Sequence, residues 1–373
     1  MSCSASRSVP HAVPRSVMDA WLSSQCPGEG PLAERLEEAR FQALREVLHR
    51  TREHSRWYSR TLAGLNLDIR CEADMLSLPF TTPQDLQDYR QFLCIPQGDV
   101  SRIVTLSTSG STGTPKRIAF SENDLRRTAS FFRHGMAQLV HRGERLMVLL
   151  PGADSPNGVT DLLHQALSLD GVTVSAGNPA ATASTLKADI LSFRPQALVA
   201  APHQLAALLD AVREDEGLRA QACCVNGIQS SGDVLDAEVR CGLESLLSCE
   251  VLDHFGMTET CFGGGVECFA RHGYHLRELD LFLEILDPRT LSPVAEGQVG
   301  ELVLTTLNRE AMPLIRYRTG DAASWLSGPC PCGSPLRRLA PLSGRWQYEG
   351  GVPILRHIRK GGFHARTAPA SLR

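Results

Sequence analysis

The stretch Ser107-Thr108-Ser109-Gly110-Ser111-Thr112-Gly113-Thr114-Pro115-Lys116 decides how the rest of the chain is read. Arg102-Ile103-Val104-Thr105-Leu106 precedes it and Arg117-Ile118-Ala119-Phe120 follows it, and both have the apolar, β-branched character of buried strands. The segment is therefore a strand, a loop of hydroxyls and glycines closed by a lysine, and a second strand. Glycine lets a backbone approach an anion closely, and successive N–H groups form a nest for phosphate. The hydroxyls add donors and Lys116 adds a point charge. A P-loop is excluded, because G-x-x-x-x-G-K-[ST] must open a helix. Here Pro115 precedes the lysine, Arg117 follows it, and the sequel reads as a strand. The competing reading is a Ser/Thr/Gly-rich surface turn.

Working outward, 373 residues can bury a large core and suggest about two domains. A hydrophobic share of 42% with 21% charged residues is ordinary for a soluble globular chain. A net charge of −3 carries no nucleic-acid footprint, and no apolar run has the length of a membrane helix. Met1–Pro14 lacks the apolar core of a secretory signal. Twelve cysteines scattered along such a chain point to reduced thiols, a metal and a cytoplasmic location, not to a disulfide scaffold.

Residues 1–30 read as a loose leader with one short helix near Met18–Leu22, and the periodicity from Pro31 predicts a long amphipathic helix. In Leu78–Leu86, Thr82 is placed to cap a helix starting at Pro83, with Asp85 in its first turn. Beyond the loop, helices and strands alternate: a helix over Glu122–Val140, strands at Arg145–Leu150, Gly171–Val174 and Ala197–Ala200, and helices over Asp161–Leu169, from Ala181 to Phe193 and from His203. That alternation predicts a mostly parallel α/β sheet with ligands at the carboxyl ends of its strands. Gly227–Asp233 ends another strand in a glycine turn, where Asp233 is free to cap the next helix. Leu281–Asp287 and Gly300–Thr306 read as antiparallel strands of a small β-rich subdomain.

The loop resembles the phosphate loop of adenylate-forming enzymes, the acyl-CoA synthetases and their relatives. Two later motifs strengthen the resemblance: Asp253-His254-Phe255-Gly256-Met257-Thr258-Glu259-Thr260, similar to the family's aromatic-Gly-x-Thr-Glu signature with phenylalanine in place of the usual tyrosine, and Pro313-Leu314-Ile315-Arg316-Tyr317-Arg318-Thr319-Gly320-Asp321. Arg52–Arg60, with His54, Trp57 and Tyr58, resembles the "HSPFY" region that opens many members, and phenylacetate–coenzyme A ligases are the most similar subgroup. The resemblance implies the fold of the large N-terminal domain of these enzymes, with mixed and parallel sheets flanked by helices. It implies that Ser107, Thr108, Ser109, Gly110, Ser111, Thr112, Gly113, Thr114 and Lys116 hold phosphates. It places adenine at Ser231, Gly232, Asp233, Phe255 and Gly256, the phosphate or its metal at Thr258, Mg²⁺ at Glu259, and ribose at Asp321 and Arg345. Lys116, Thr258 and Glu259 are the expected catalytic residues. His203, His254 and Cys261 are candidates for the acid's pocket and spell no particular substrate.

Cys268-x6-His275 and Cys330-Pro331-Cys332-Gly333 supply three thiols and an imidazole, a set that suits tetrahedral structural Zn²⁺. The Cys-Pro-Cys spacing departs from the usual C-x2-C, His272 is an alternative to His275, and buried free thiols are the other reading. Similarly placed Cys and His residues occur in phenylacetate–coenzyme A ligase relatives.

The expected organisation is a leader over 1–30, an α/β nucleotide- and acyl-binding region over 31–265, a β-rich subdomain with the zinc knuckle over 266–345, and a tail over 346–373. In the family a mobile C-terminal domain with a catalytic lysine follows the third motif. Here the tail stands in its place, and Lys360 is only a weak match for that lysine. The expected function is ATP-dependent adenylation of an aryl or small carboxylic acid with transfer to coenzyme A, alone or with a partner chain supplying the missing domain. A homodimer is left open. The rival expectations are a degenerate nucleotide- or acyl-adenylate-binding regulator and an acyl-protein synthetase.

Overall fold

The computed structural model of the chain describes residues 13–106 and 115–358. Ser107–Thr114 of the glycine-rich loop, and Lys360, lie outside the described residues. The flanking strands are β1 (Arg102–Leu106) and β2 (Lys116–Phe120), paired antiparallel from Arg102↔Phe120 to Leu106↔Lys116. Lys116 therefore stands at the end of the ladder from which the loop springs.

The α/β alternation builds the main sheet. Its strands are β3 (Arg145–Val148), β4 (Thr173–Ala176), β5 (Ala197–Ala200), β6 (Gly227–Ser231), β7 (Glu250–Phe255), β8 (Gly265–Glu267) and β9 (Tyr274–Leu276). The strands β10 (Leu281–Leu286), β11 (Gly300–Thr306) and β12 (Tyr317–Ala323) belong to a second sheet, and β13 (Arg338–Leu339) returns to the first. Strands β14 (Gly344–Glu349) and β15 (Val352–His357) complete the second. The first sheet runs β13-β9-β8-β7-β6-β5-β3-β4, parallel from β7 to β4 and antiparallel from β7 to β13. The second runs β10-β11-β12-β14-β15, antiparallel throughout.

Nine helices lie among the described residues: α1 (Val17–Gln25), α2 (Leu32–His54), α3 (Tyr58–Thr61), α4 (Glu122–Met136), α5 (Val159–Leu167), α6 (Ala183–Phe193), α7 (Pro202–Glu214), α8 (Glu216–Ala222) and α9 (Ala237–Leu247). Strand side chains alternate between faces. Leu146 and Val148 of β3 thus join one core with α4 and α5, while Met147 joins the other with α6, α7 and α9. Two-sided burial is why the central strands read as unbroken apolar runs.

Four local expectations are corrected. Residues 17–25 are not a loose leader: Met18 and Leu22 of α1 are fully buried, and Trp21 Nε1 donates to Ser130 Oγ of α4 at 3.2 Å. Thr82 caps no helix at Pro83. Its N–H and hydroxyl both donate to Asp85 Oδ2, at 2.8 and 2.7 Å, and a 3₁₀ segment over Asp85–Phe92 follows. Asp233 takes its own local bond from Val234 N (2.8 Å), and Asp236 caps α9 instead. The expected boundary at 266 falls inside the first sheet. Strands β8 and β9 extend that sheet, the β-rich unit begins at β10, and Trp346–His357 is part of it as the β14–β15 hairpin. Antiparallel β-strands attach to either sheet, so strand content alone does not mark the division.

Candidate active site

Three chain segments meet around Lys116, at the start of β2. Glu259 lies in the short turn Thr258–Thr260 that follows β7, and Tyr317 opens β12. Lys116 Nζ donates to Glu259 Oε1 and, at 3.0 Å, to Tyr317 Oη; Tyr317 donates to Glu259 Oε1 at 3.2 Å. The ammonium also lies 5.5 Å from the centroid of the Tyr317 ring. Burial and the Glu259 carboxylate hold the Tyr317 phenol well above its ordinary range, so it stays a donor. Arg309 Nη2 donates to the carbonyl of Glu259 at 3.1 Å and so fixes the turn.

The pairing of β12 with β11 is interrupted between Arg318 and Ala322, where Gly320 takes φ +75°, and beyond this irregularity Asp321 and its neighbour Arg345 still lie close enough to act electrostatically on the Tyr317 phenol. Asp321 pairs in register with Arg345 of β14, and Arg345 Nε lies 3.3 Å from Asp321 Oδ1. Arg345 Nη2 donates to the Thr319 carbonyl at 2.8 Å. The two expected ribose residues are thus adjacent, and both lie near enough to Tyr317 to act on its phenol.

The segments around Tyr58 and Thr81 hold the third motif from behind. Ile315 N–H donates to Tyr58 Oη (2.8 Å), Tyr58 and Thr81 share a hydroxyl bond of 2.9 Å, and Thr81 Oγ1 donates to the Ile315 carbonyl (2.8 Å). Every polar atom of this buried relay is satisfied. Arg316, fully buried, adds a bidentate pair with Glu284 at 2.9 and 3.1 Å.

Phe255, Gly256 and the Ser231 turn lie at the carboxyl ends of β7 and β6. Phe255 is 5% exposed, with its ring 6.0 Å from that of Tyr274, so in this conformation it is packed inside rather than presented to an open cleft. Gly256 has no room for a side chain, since a Cβ would lie 2.3 Å from the Phe262 carbonyl oxygen and 2.6 Å from His254 Cε1. Gly232, at φ +98°, turns the chain where L side chains rarely go. Asp233 is exposed and Thr258 half-buried.

An apolar cavity with about 430 Å³ of empty space, mouth included, opens between α4, α5 and the sheet. Phe131, Phe132, Leu163, Val199 and Val266 wall it, and Gln229, Ser231 and His254 are its polar groups. His203 and Cys261 do not line it. Burial pushes the Cys261 thiol up, which makes it a poor nucleophile. The capping box of α4, in which Ser121 Oγ accepts from Asp124 N and Asp124 Oδ2 from Ser121 N, sets the helix that carries Phe131 and Phe132.

The second constellation sits at the antiparallel end of the first sheet. Cys268 follows β8, His275 is in β9, and Cys330 and Cys332 come from the turn between β12 and β13. Their ligand atoms all lie within 4.8 Å of one another, with Cys268 Sγ 3.7 Å from Cys330 Sγ and Cys332 Sγ 3.6 Å from His275 Nε2. All four residues are buried. Gly333, at φ +78°, closes the knuckle by donating from N to the Cys330 carbonyl at 2.8 Å. His272, the alternative ligand, is held by Arg338 instead. Without an ion, burial pushes the Cys268 and Cys332 thiols up and His275 down to about 4, so the cluster is uncharged.

The sequence reading missed Tyr317 and Arg309. Tyr317 was legible in principle, since it stands inside the third motif, four residues before Asp321. Arg309 carries no local signal, because its role is a contact across 50 residues of sequence.

The fold belongs to a known class. Residues 97–308 match the family of AMP-binding enzymes, and the chain belongs to that family. It is similar to a phenylacetate-coenzyme A ligase of Thermus thermophilus, 28% identical over 327 residues that span 84% of this chain and 71% of that protein. A phenylacetate-coenzyme A ligase of Pseudomonas putida is 28% identical over 346 residues, 90% of this chain and 74% of that one. Among solved structures, an open conformation of 2-hydroxyisobutyryl-CoA ligase in complex with 2-HIB-AMP and CoA superposes with a TM-score of 0.73 at 21% identity, covering 88% of this chain and 74% of that chain. That likeness concerns the fold. Among the described residues no helix is long and apolar enough to cross a membrane.

Proposed function

We propose that the chain is an AMP-forming acid–thiol ligase that activates an aryl or other small carboxylic acid with ATP and passes the acyl group to coenzyme A. A carboxylate oxygen of the acid attacks the α-phosphorus and the bond to pyrophosphate breaks. The thiolate of coenzyme A then attacks the acyl carbonyl, and AMP leaves with its oxygen. The observation that carries this reading is the joining of Lys116, Glu259, Tyr317, Asp321 and Arg345 into one row, with the apolar cavity walled by His254 and Val266 on either side of the Glu259 turn.

In this reading Lys116 and the Ser107–Thr114 loop hold phosphate, and Asp321 and Arg345 hold the ribose hydroxyls. Ser231, Gly232, Asp233, Phe255 and Gly256 border adenine, and Phe255 must become uncovered for its ring to stack. Glu259, with Thr258 beside it, suits Mg²⁺, which takes one or two protein oxygens and keeps water and phosphate for the rest. Such an ion supplies charge neutralisation on the phosphates. Lys116 and Glu259, paired in the empty site, exchange one another for phosphate and cation.

Cys268, Cys330, Cys332 and His275 are the proposed ligands of a structural Zn²⁺. Zinc–ligand bonds of about 2.0–2.3 Å in a tetrahedron separate ligand atoms by roughly 3.5–3.8 Å, and 3.6 and 3.7 Å are found. The reduced thiols suit a cytoplasmic setting.

The test is pyrophosphate release by the purified chain with Mg-ATP over a panel of aryl and short-chain acids, with and without coenzyme A. Acid-dependent release, with coenzyme A needed for repeated turnover, is expected. Saturable ATP binding without release by any acid would replace the ligase with a nucleotide-binding regulator. ATP-dependent acylation of a protein without coenzyme A would make it an acyl-protein synthetase.

A further inference from the structure

His254 is the one group of the cavity whose bonding is left incomplete. It is 9% exposed and packs against Phe131 and Phe132, with ring centroids 6.1 and 6.4 Å away. Nδ1 is within 3.0 Å of Ser231 Oγ. Nε2 is buried and has no hydrogen-bond partner among the described residues. Folded chains rarely leave such an atom unpaired unless water or a ligand completes it. Apart from Gln229 and Ser231, the rest of the lining is apolar.

We propose that His254 selects acids bearing a neutral hydroxyl remote from the carboxylate, by pairing that hydroxyl with Nε2 inside the apolar cavity. The proposal rests on reading the cavity as the acid's binding site. Two arguments narrow the chemistry. The Ser231 hydroxyl can donate to Nδ1 or accept from it, so Nε2 is a donor in one tautomer and an acceptor in the other. A hydroxyl serves both, whereas a methyl or halogen serves neither. Burial and the nearby Arg277 also hold His254 down to about 4, so the ring is neutral at physiological pH and offers no countercharge to a second carboxylate.

The test is titration calorimetry of the intact chain with two matched pairs, 4-hydroxyphenylacetate against phenylacetate and 3-hydroxybenzoate against benzoate. At least one hydroxylated acid is expected to bind about tenfold more tightly than its parent, the size of one net neutral hydrogen bond. His254→Leu should abolish that ratio by weakening the hydroxylated acid and sparing the parent. His254→Phe, which keeps an aromatic ring, is the second variant and should do the same. An unchanged ratio in either folded variant overturns the proposal, as do equal or weaker binding of both hydroxylated acids by the parent chain and absence of binding by all four. A preserved preference without pyrophosphate release would defeat the ligase reading and leave this inference standing.

Discussion

The Lys116 row and the cysteine cluster are both buried assemblies of residues far apart in sequence, yet they differ in how they stand without a ligand. In the row each charge has an opposite: Lys116 faces Glu259, and Arg345 faces Asp321. In the cluster three thiols and an imidazole face one another without any opposite charge among the four, and His275 Nδ1 is buried with no hydrogen-bond partner among the described residues. A site that releases its products each turnover must be stable when empty, and internal ion pairs provide that. A structural site need never be empty, so its ligands require no substitute partners. Under the proposed function, nucleotide binding is then an exchange of partners rather than the occupation of a void.

The largest test of this contrast is Lys116→Ala. Removing a charge proposed to act on the transferring phosphoryl group should lower the rate of acid-dependent pyrophosphate release by about 10²–10³-fold, while the thermal unfolding midpoint falls by only a few degrees, because the nearly buried Glu259 loses its countercharge but keeps the Tyr317 hydroxyl. A rate within threefold of the parent would detach Lys116 from the chemistry. The converse is expected of Cys330→Ser. Metal analysis should find one zinc per chain in the parent and none in the variant, and the midpoint should fall by roughly 10 °C, several kcal/mol for a domain of this size. Metal-free parent protein with an unchanged midpoint would return the cluster to plain buried thiols. Tyr317→Phe should sharpen the row. It keeps the ring beneath Lys116 and removes the shared hydroxyl, so a decrease of about tenfold in kcat at unchanged zinc content is expected, in line with one positioned hydrogen bond; an unchanged kcat would leave Tyr317 a packing residue.

The smallest effect is in acid. His254 has its folded pKa depressed to about 4 from 6.5, so the unfolded chain binds more protons between those values. Its contribution is fully present above pH 6.5 and is lost as pH falls toward 4. The midpoint of His254→Leu should therefore fall less steeply than that of the parent from pH 6.5 to 5, measured by thermal unfolding across that window. Parallel curves would show that the ring is not buried neutral.

Much of the fold was legible because its period is local. Buried parallel strands such as Ala197–Ala200 read as short apolar runs, and the helices between them carry their own caps. The ends of the Lys116 row were legible too, since Glu259 and Asp321 sit in motifs of unusual order. Its middle was not. Tyr317 contributes through contacts to residues 201 and 58 positions away, which no window of sequence contains. Helix α1 was expected near Met18–Leu22, but its packing into the core was missed for the same reason. Its flanks are polar and Pro/Gly-punctuated, and only the surface of α4 makes Trp21 an interior residue. His254 stood in plain view inside a motif, but the unpaired Nε2 that gives it a role exists only in three dimensions.

Helix α1 has a consequence for how the molecule is made. Asp19 Oδ1 accepts from Ser334 Oγ at 2.5 Å, a contact spanning 315 positions that ties the helix to the turn beside Cys332. At roughly 5–20 residues per second, the ribosome needs on the order of 15–60 s to deliver the second partner after the first. The apolar face of α1 is covered well before that, since Trp21 packs on Ser130, Phe131 and His134 of α4, so the bond to Ser334 is a late fastening of a helix already seated.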